Sequence, residues 1–143
     1  VIPFAYLDSS VILRVLLGQP DALAEWKEVE TGVASALVEV ECLRTLDRLR
    51  LMGALSDDEL AERRTAAFSL VAAMEVVEVT RTVLARASQP LPTALGTLDA
   101  LHLASASLWR EQTAAELVLA THDAALGRAA RASGFRVIGI PNR

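Results

Sequence analysis

Short apolar runs alternate with longer stretches of helical period along this chain. Phe4 to Leu7 is an apolar run ending at Asp8 and predicts a strand. Ser9 to Leu17 predicts a helix closed by Gly18, and Asp21 caps a second predicted helix reaching about Val29. Val33-Ala34 predicts a brief strand. Ser35 then caps a long helix over 36–52, stopped by Gly53. Ser56-Asp57-Asp58-Glu59 has the form of a capping box and opens a helix to about Ala73. Met74 to Val79 alternates as a strand does, and Thr80 caps a short helix to about Ala87. Gln89 to Gly96 holds two prolines and predicts a loop. Thr97 caps a helix to about Arg110. Leu117 to Ala120 predicts a buried strand, 122–133 a helix ended by Gly134, and Arg136 to Ile140 a last strand.

Short apolar strands separated by helices imply a parallel sheet covered on both faces, an α/β class. No linker, repeat or composition shift divides the chain, so one domain over 1–143 is expected. Hydrophobic residues are 52% and charged residues 22%, with mean hydropathy +0.35, which excludes a disordered chain. Aromatics are 4%, so Leu, Val and Ala must fill the core. No uncharged apolar run reaches membrane-spanning length, and no secretory leader pattern is visible. The lone Cys42 excludes a disulfide framework and a cysteine-based zinc site, so a cytosolic location is expected.

In open parallel sheets the ligand sits beyond the carboxyl ends of the strands. Asp8 lies there after the first strand and Asp123 after the fourth. Asp99 lies in the first turn after Thr97, and Glu41 on the helix after the second strand. Each has a plain structural reading. Asp8 and Asp123 suit helix N-caps, Asp99 suits a helix dipole, and Glu41 suits a pair with Arg44. Yet Asp99 heads a helix face that continues through His102, Leu103 and Ala106 to Arg110, which points it toward the core. Glu41, Arg44 and Arg48 form a stripe, while Glu39 lies about 160° around the helix from Glu41. If the four acids converge, their charges repel, and a hard divalent cation removes the conflict. Oxygen ligands suit Mg²⁺ or Mn²⁺. Such an ion would also offset the net charge of −4 toward a phosphodiester and support in-line attack by water on phosphorus.

Four stretches, Tyr6-Leu7-Asp8-Ser9-Ser10, Val40-Glu41-Cys42-Leu43-Arg44, 98–104 (Leu-Asp-Ala-Leu-His-Leu-Ala) and Ala120-Thr121-His122-Asp123, together resemble the PIN-domain ribonucleases and, within them, the VapC toxins. The resemblance implies a three-layer α/β/α sandwich and Mg²⁺- or Mn²⁺-dependent endoribonuclease activity on RNA. It further implies a homodimer and a cognate VapB-like antitoxin whose tail fills the acidic cleft. Asp8, Glu41, Asp99 and Asp123 match the family's acidic, metal-binding positions. Ser9 and Thr121 match small polar residues that position the acids. Arg44 matches a basic residue expected to orient Glu41 or a substrate phosphate.

Other residues carry less. His102 is expected to be a satisfied core histidine, His122 a loop residue, Cys42 a buried thiol, and Trp26 and Trp109 packing residues. The apolar excess on the helices of 21–52 leaves open a face that meets a second chain. Lys27 is the only lysine, so thirteen of the 14 basic residues are arginine. That excludes a P-loop and a receiver domain. The chain also lacks G-x-G-x-x-G and G-x-S-x-G. Two alternatives remain: a haloacid-dehalogenase-like phosphatase, against which Ser10 stands where a second Asp is wanted, and an inactive PIN-like interaction module.

Overall fold

The computed structural model describes residues 1–141. Five strands pair in parallel: β1 (Ile2–Leu7), β2 (Val29–Ser35), β3 (Glu75–Val77), β4 (Val118–Ala120) and β5 (Val137–Ile138). Their order across the sheet is β3-β2-β1-β4-β5. The helices are α1 (Ser9–Leu16), α2 (Leu37–Leu51), α3 (Asp57–Ala72), α4 (Arg81–Ala87), α5 (Thr97–Thr113) and α6 (Ala124–Ala132). None of them is long and apolar enough to cross a membrane.

The layering follows from strand alternation, which sends successive side chains to opposite faces. From β1 and β4, Ala5, Leu7, Val118 and Ala120 pack with Val11 and Ile12 of α1, Val38 and Cys42 of α2, and Ala67 of α3. Tyr6 and Leu119 point the other way, into a second core with Leu103 and Ala106 of α5 and Leu126 and Ala129 of α6. The sheet is therefore buried on both faces, as the expected α/β/α sandwich requires. The chain leaves β1 for β2 on one side and reaches β4 on the other. The switch in strand order thus falls between β1 and β4, and a crevice opens beyond their carboxyl ends.

Local signals account for most boundaries. Asp8 and Thr80 accept from Val11 and Val83 backbone N–H groups as N-caps of α1 and α4, and Ser56 and Glu59 close the capping box of α3. The helix expected from Asp21 is absent. Only a three-residue 3₁₀ turn, Trp26–Glu28, forms there. Arg14 occupies the Asp21 carboxylate at 3.0 Å, and pairing of Val29 with Ile2 draws the following residues into the sheet. That pairing also lengthens β2 beyond the expected Val33-Ala34. Gly96 and Ala36, not Thr97 and Ser35, occupy the N-cap positions of α5 and α2. Ser35 Oγ still accepts the Leu37 N–H at 3.1 Å. The last strand is two residues long, because Gly139 turns the chain with φ +95°.

The two tryptophans pack as expected. Trp109 stacks at a tilt on Phe4, 5.1 Å between centroids, and Trp26 lies against the first core. Gly139 has a different task. A Cβ there would stand 2.4 Å from the Thr121 carbonyl oxygen, so only glycine lets the chain after β5 approach β4. Gly53 has a similar φ of +77° but open space around it. Gly139→Ala is therefore expected to lower unfolding stability by about 1–3 kcal/mol in urea denaturation, and by more than Gly53→Ala. Equal losses would contradict this.

Candidate active site

The crevice between β1 and β4 is built on Asp8, which is 4% exposed at the end of β1. Its Oδ1 accepts from Ser10 Oγ at 2.6 Å and Val11 N–H at 3.2 Å, and its Oδ2 accepts from Thr121 Oγ1 at 2.5 Å. Thr121 Oγ1 accepts in turn from the Asp123 N–H at 2.9 Å, and Ser10 Oγ from the His122 N–H at 3.1 Å. Two hydroxyls therefore stitch the start of α1 to the start of α6 across the switch point. Asp123 caps α6 through Leu126 N–H at 2.9 Å and is otherwise exposed. The cap readings of Asp8 and Asp123 are correct, and they place both acids at the same crevice.

Glu41 comes from α2 and Asp99 from the first turn of α5. Glu41 Oε1 accepts from His102 Nε2 at 2.7 Å, and Oε2 accepts from Ser9 Oγ at 3.3 Å. Behind the imidazole, Tyr6 OH lies 2.7 Å from Nδ1. Burial pushes the Tyr6 phenol well above the usual tyrosine range, so its oxygen keeps its proton. Asp99 is half-buried and finds no hydrogen-bond donor among the described residues. Its carboxyl is raised above the ordinary Asp value, first by burial and next by the negative charge of Asp123. Asp8 and Glu41 add to the rise, and His102 opposes it. The charges of three acids from distant parts of the sequence therefore reach Asp99. Among the described residues no three acidic, histidine or cysteine side chains are drawn tightly enough to form a ready-made metal cage.

One expectation about a neighbour fails. Arg44 does not reach Glu41. Its guanidinium pairs with Asp47 at 3.1 Å on an open helix face, with the side chain 65% exposed. Asp47 is held below the usual Asp range, first by its hydrogen bond to Arg50 and then by the charges of Arg50 and Arg44. The i,i+3 spacing that suggested an Arg44 pair with Glu41 serves Asp47 equally well, and Asp47 lacks the competing histidine. Glu39 is exposed and lies about 160° around α2 from Glu41.

The family model of the PIN domain matches residues 5–132. The chain belongs to the PIN domain family. It is 34% identical over 137 residues to "Ribonuclease VapC46" of Mycobacterium tuberculosis, covering 93% of this chain and 95% of that one. It is 29% identical over 133 residues to "Ribonuclease VapC47" of the same species, covering 91% and 92%. Among solved structures it resembles FitAB bound to a DNA fragment, with TM-score 0.70 at 17% identity over 97% of this chain and 98% of that one. A toxin–antitoxin complex from Klebsiella pneumoniae gives 0.61 at 15% identity over 83% and 86%. The Mycobacterium tuberculosis toxin VapC20, described as cleaving the sarcin–ricin loop, gives 0.59 at 17% identity over 92% and 95%.

Within this PIN domain, sequence reasoning missed two contributions. Ser10 was present in the motif but had no role until its hydroxyl was seen bridging Asp8 and His122. Tyr6 reaches His102 because strand alternation turns it away from Leu7, toward α5. His122 Nδ1 donates to the Gly139 carbonyl at 2.8 Å, while its buried Nε2 has no partner among the described residues. Cys42 is buried beside Glu41, and its thiol is pushed up to about 12 by burial and then by the charges of Glu41 and Asp8.

Two outcomes follow from these electrostatics. A thiol reagent such as DTNB at pH 8 should leave native Cys42 unmodified and titrate one thiol after denaturation; rapid native labelling would contradict the burial. Because the folded state raises Asp99, its contribution to stability is present at acid pH and lost as pH rises through the folded value. Asp99→Asn should therefore raise the metal-free Tm at pH 7, with the gain vanishing toward about pH 4, where aspartate protonates in the unfolded chain. A Tm difference independent of pH would refute it.

Proposed function

We propose that this PIN domain is a metal-dependent endoribonuclease, and that it acts as the toxin of a VapBC-type pair. The observation that carries the reading is a set of hydrogen bonds: Ser9, beside Asp8, donates to Glu41, and Thr121 links Asp8 to the Asp123 backbone, while Asp99 lies one turn before His102, the partner of Glu41. Relatives named as ribonucleases support it over nearly the whole chain.

The donor set fits a hard divalent cation. It is all oxygen, and Asp99 has no competing donor among the described residues. Three hydrogen bonds reach Asp8, and a carboxylate has about four acceptor positions, so one on Asp8 is left over. Mg²⁺ keeps several waters and is commonly held by one or two carboxylates, so an open set of acids suits it better than a closed cage. We assign the holding of Mg²⁺ or Mn²⁺ to Asp8, Asp99, Glu41 and Asp123. Bound there, the cation supplies Lewis-acid stabilisation of charge on the phosphodiester and lowers the cost of ionising the attacking water.

The chain's own residues do the rest. Thr121 and Ser10 fix the Asp8 carboxylate, so it needs no reorganisation when substrate arrives. Ser9 donates to Glu41 and holds it toward α1. Asp123, exposed with one oxygen committed to its cap bond, has no partner on its other oxygen among the described residues. We assign Arg44 to an RNA phosphate: its side chain is 65% exposed, and its surface pair with Asp47 is of a kind that holds weakly and can exchange.

The acidic crevice also suits a basic antitoxin segment, and the structural likeness to a toxin–antitoxin complex supports a VapB-like partner. A homodimer is supported by Val40 and Leu51 of α2 and Met52 just after it, exposed by 51%, 68% and 71%.

The test is cleavage of end-labelled RNA by the purified protein. Cutting is expected with Mn²⁺ or Mg²⁺ and not with EDTA. Asp99→Asn should reduce it by more than about 100-fold, beyond the 10–100-fold typical of groups that only support a ligand. Glu39→Gln should cut nearly as wild type does, and Glu41→Gln far more slowly. Cleavage that survives EDTA, or a folded Asp99→Asn protein with wild-type rate, would overturn the proposal.

A further inference from the structure

We propose that His102 is a positioning residue for Glu41, with Tyr6 holding it from behind. The observation is a buried chain of hydrogen bonds, Tyr6 OH to His102 Nδ1 at 2.7 Å and His102 Nε2 to Glu41 Oε1 at 2.7 Å, running from the core to the crevice. Tyr6 is 0% and His102 2% exposed, whereas the Glu41 side chain is 20% exposed. The chain ties β1, α5 and α2 together at the point where Glu41 enters the crevice.

A carboxylate only accepts, so His102 Nε2 carries the hydrogen donated to Glu41. On the other side of the ring, Nδ1 and the Tyr6 hydroxyl share one hydrogen across 2.7 Å. Both ring nitrogens have a partner at 2.7 Å, so the imidazole is held in one orientation. It is too deeply buried to touch a phosphodiester, and it therefore acts through Glu41.

Glu41 needs such a hold. A glutamate has three rotatable bonds, and fixing a free one costs rotamer entropy each time a ligand binds. Its other restraint, Ser9 Oγ at 3.3 Å, is longer than an ordinary O–H···O bond, and Arg44 is engaged elsewhere. The 2.7 Å contact from a rigid, buried ring is thus the main restraint. Groups that orient a metal ligand from behind typically contribute 10–100-fold to metal affinity. The inference rests on Glu41 helping to hold the cation.

The experiment measures Mn²⁺ binding to the purified full chain by the EPR signal of free Mn²⁺, alongside the metal-free Tm of each variant. His102→Leu is expected to weaken binding by about 10–100-fold. His102→Gln, whose amide N–H reaches Glu41 from nearly the Nε2 position, should restore most of that loss. Tyr6→Phe should fall between the two. Wild-type affinity in His102→Leu, or a loss in His102→Gln as large as in His102→Leu, overturns the positioning role. No Mn²⁺ binding by the wild type would instead overturn the metal reading, and this inference with it. A measurement on the unaltered protein covers the case where His102→Leu does not fold. Mg²⁺ should shift the His102 ring ¹⁵N resonances, and Glu41→Gln should abolish the shift. Unmoved resonances would overturn the inference.

Discussion

The structure turns on one buried carboxylate. Asp8 ends the central strand, 4% exposed, where an unpaired charge would be costly. Its donors come from two places: the first turn of α1, through Ser10 Oγ and the Val11 N–H, and Thr121 after β4, which is 113 residues away in sequence. Charge-assisted bonds of this kind are stronger than neutral ones. Asp8 therefore fixes the β1–α1 junction against the β4–α6 junction. Gly139 protects the same arrangement from the other side, since any side chain there would push on the Thr121 carbonyl. The crevice is consequently the most firmly determined part of the sheet's carboxyl edge.

Legibility in the sequence follows from how local each signal is. The capping box at Ser56, the cap at Thr80 and the proline-bearing loop before Gly96 are short-range patterns, and they mark their elements correctly. The burial of sheet and α5 was visible in apolar runs and in the face that carries His102, Leu103 and Ala106. The failure at Asp21 has the opposite origin. Its capping chemistry is real but is taken up by Arg14, and the tertiary pairing of Val29 with Ile2 outweighs local propensity. The length of β2 was hidden for the same reason, because Glu30 and Thr31 join the sheet through their neighbour and not through their own hydrophobicity.

The site divides along the same line. The places of Asp8 and Asp123 after strands were readable in the sequence. What holds the acids was not. Arg44 was the near neighbour in sequence, yet Asp47 claims it, and the partner of Glu41 is His102, 61 residues on. One-dimensional spacing identifies i,i+3 partners only when nothing better arrives from another element. Here a rigid buried ring from α5 outcompetes a flexible exposed guanidinium, because the ring loses less conformational freedom in making its bond.

The four acids do not carry equal weight. Asp8 and Asp123 cap α1 and α6, and that duty alone explains an aspartate at each position. Capping does not compete with a second role, since a cap bond occupies one acceptor position of about four. It does mean that their presence argues little for chemistry. Glu41 and Asp99 cap nothing. Glu41 draws on a buried tyrosine and histidine to hold it facing the crevice, and Asp99 stands half-buried, without a donor among the described residues, in the field of three other acids. The helix dipole favours an acid in the first turn of α5, but it gives no reason to half-bury one among three others, and a neutral Asn at position 99 would relieve that repulsion. The case for a cation-binding, phosphodiester-cutting crevice therefore rests most on the two acids that cap no helix.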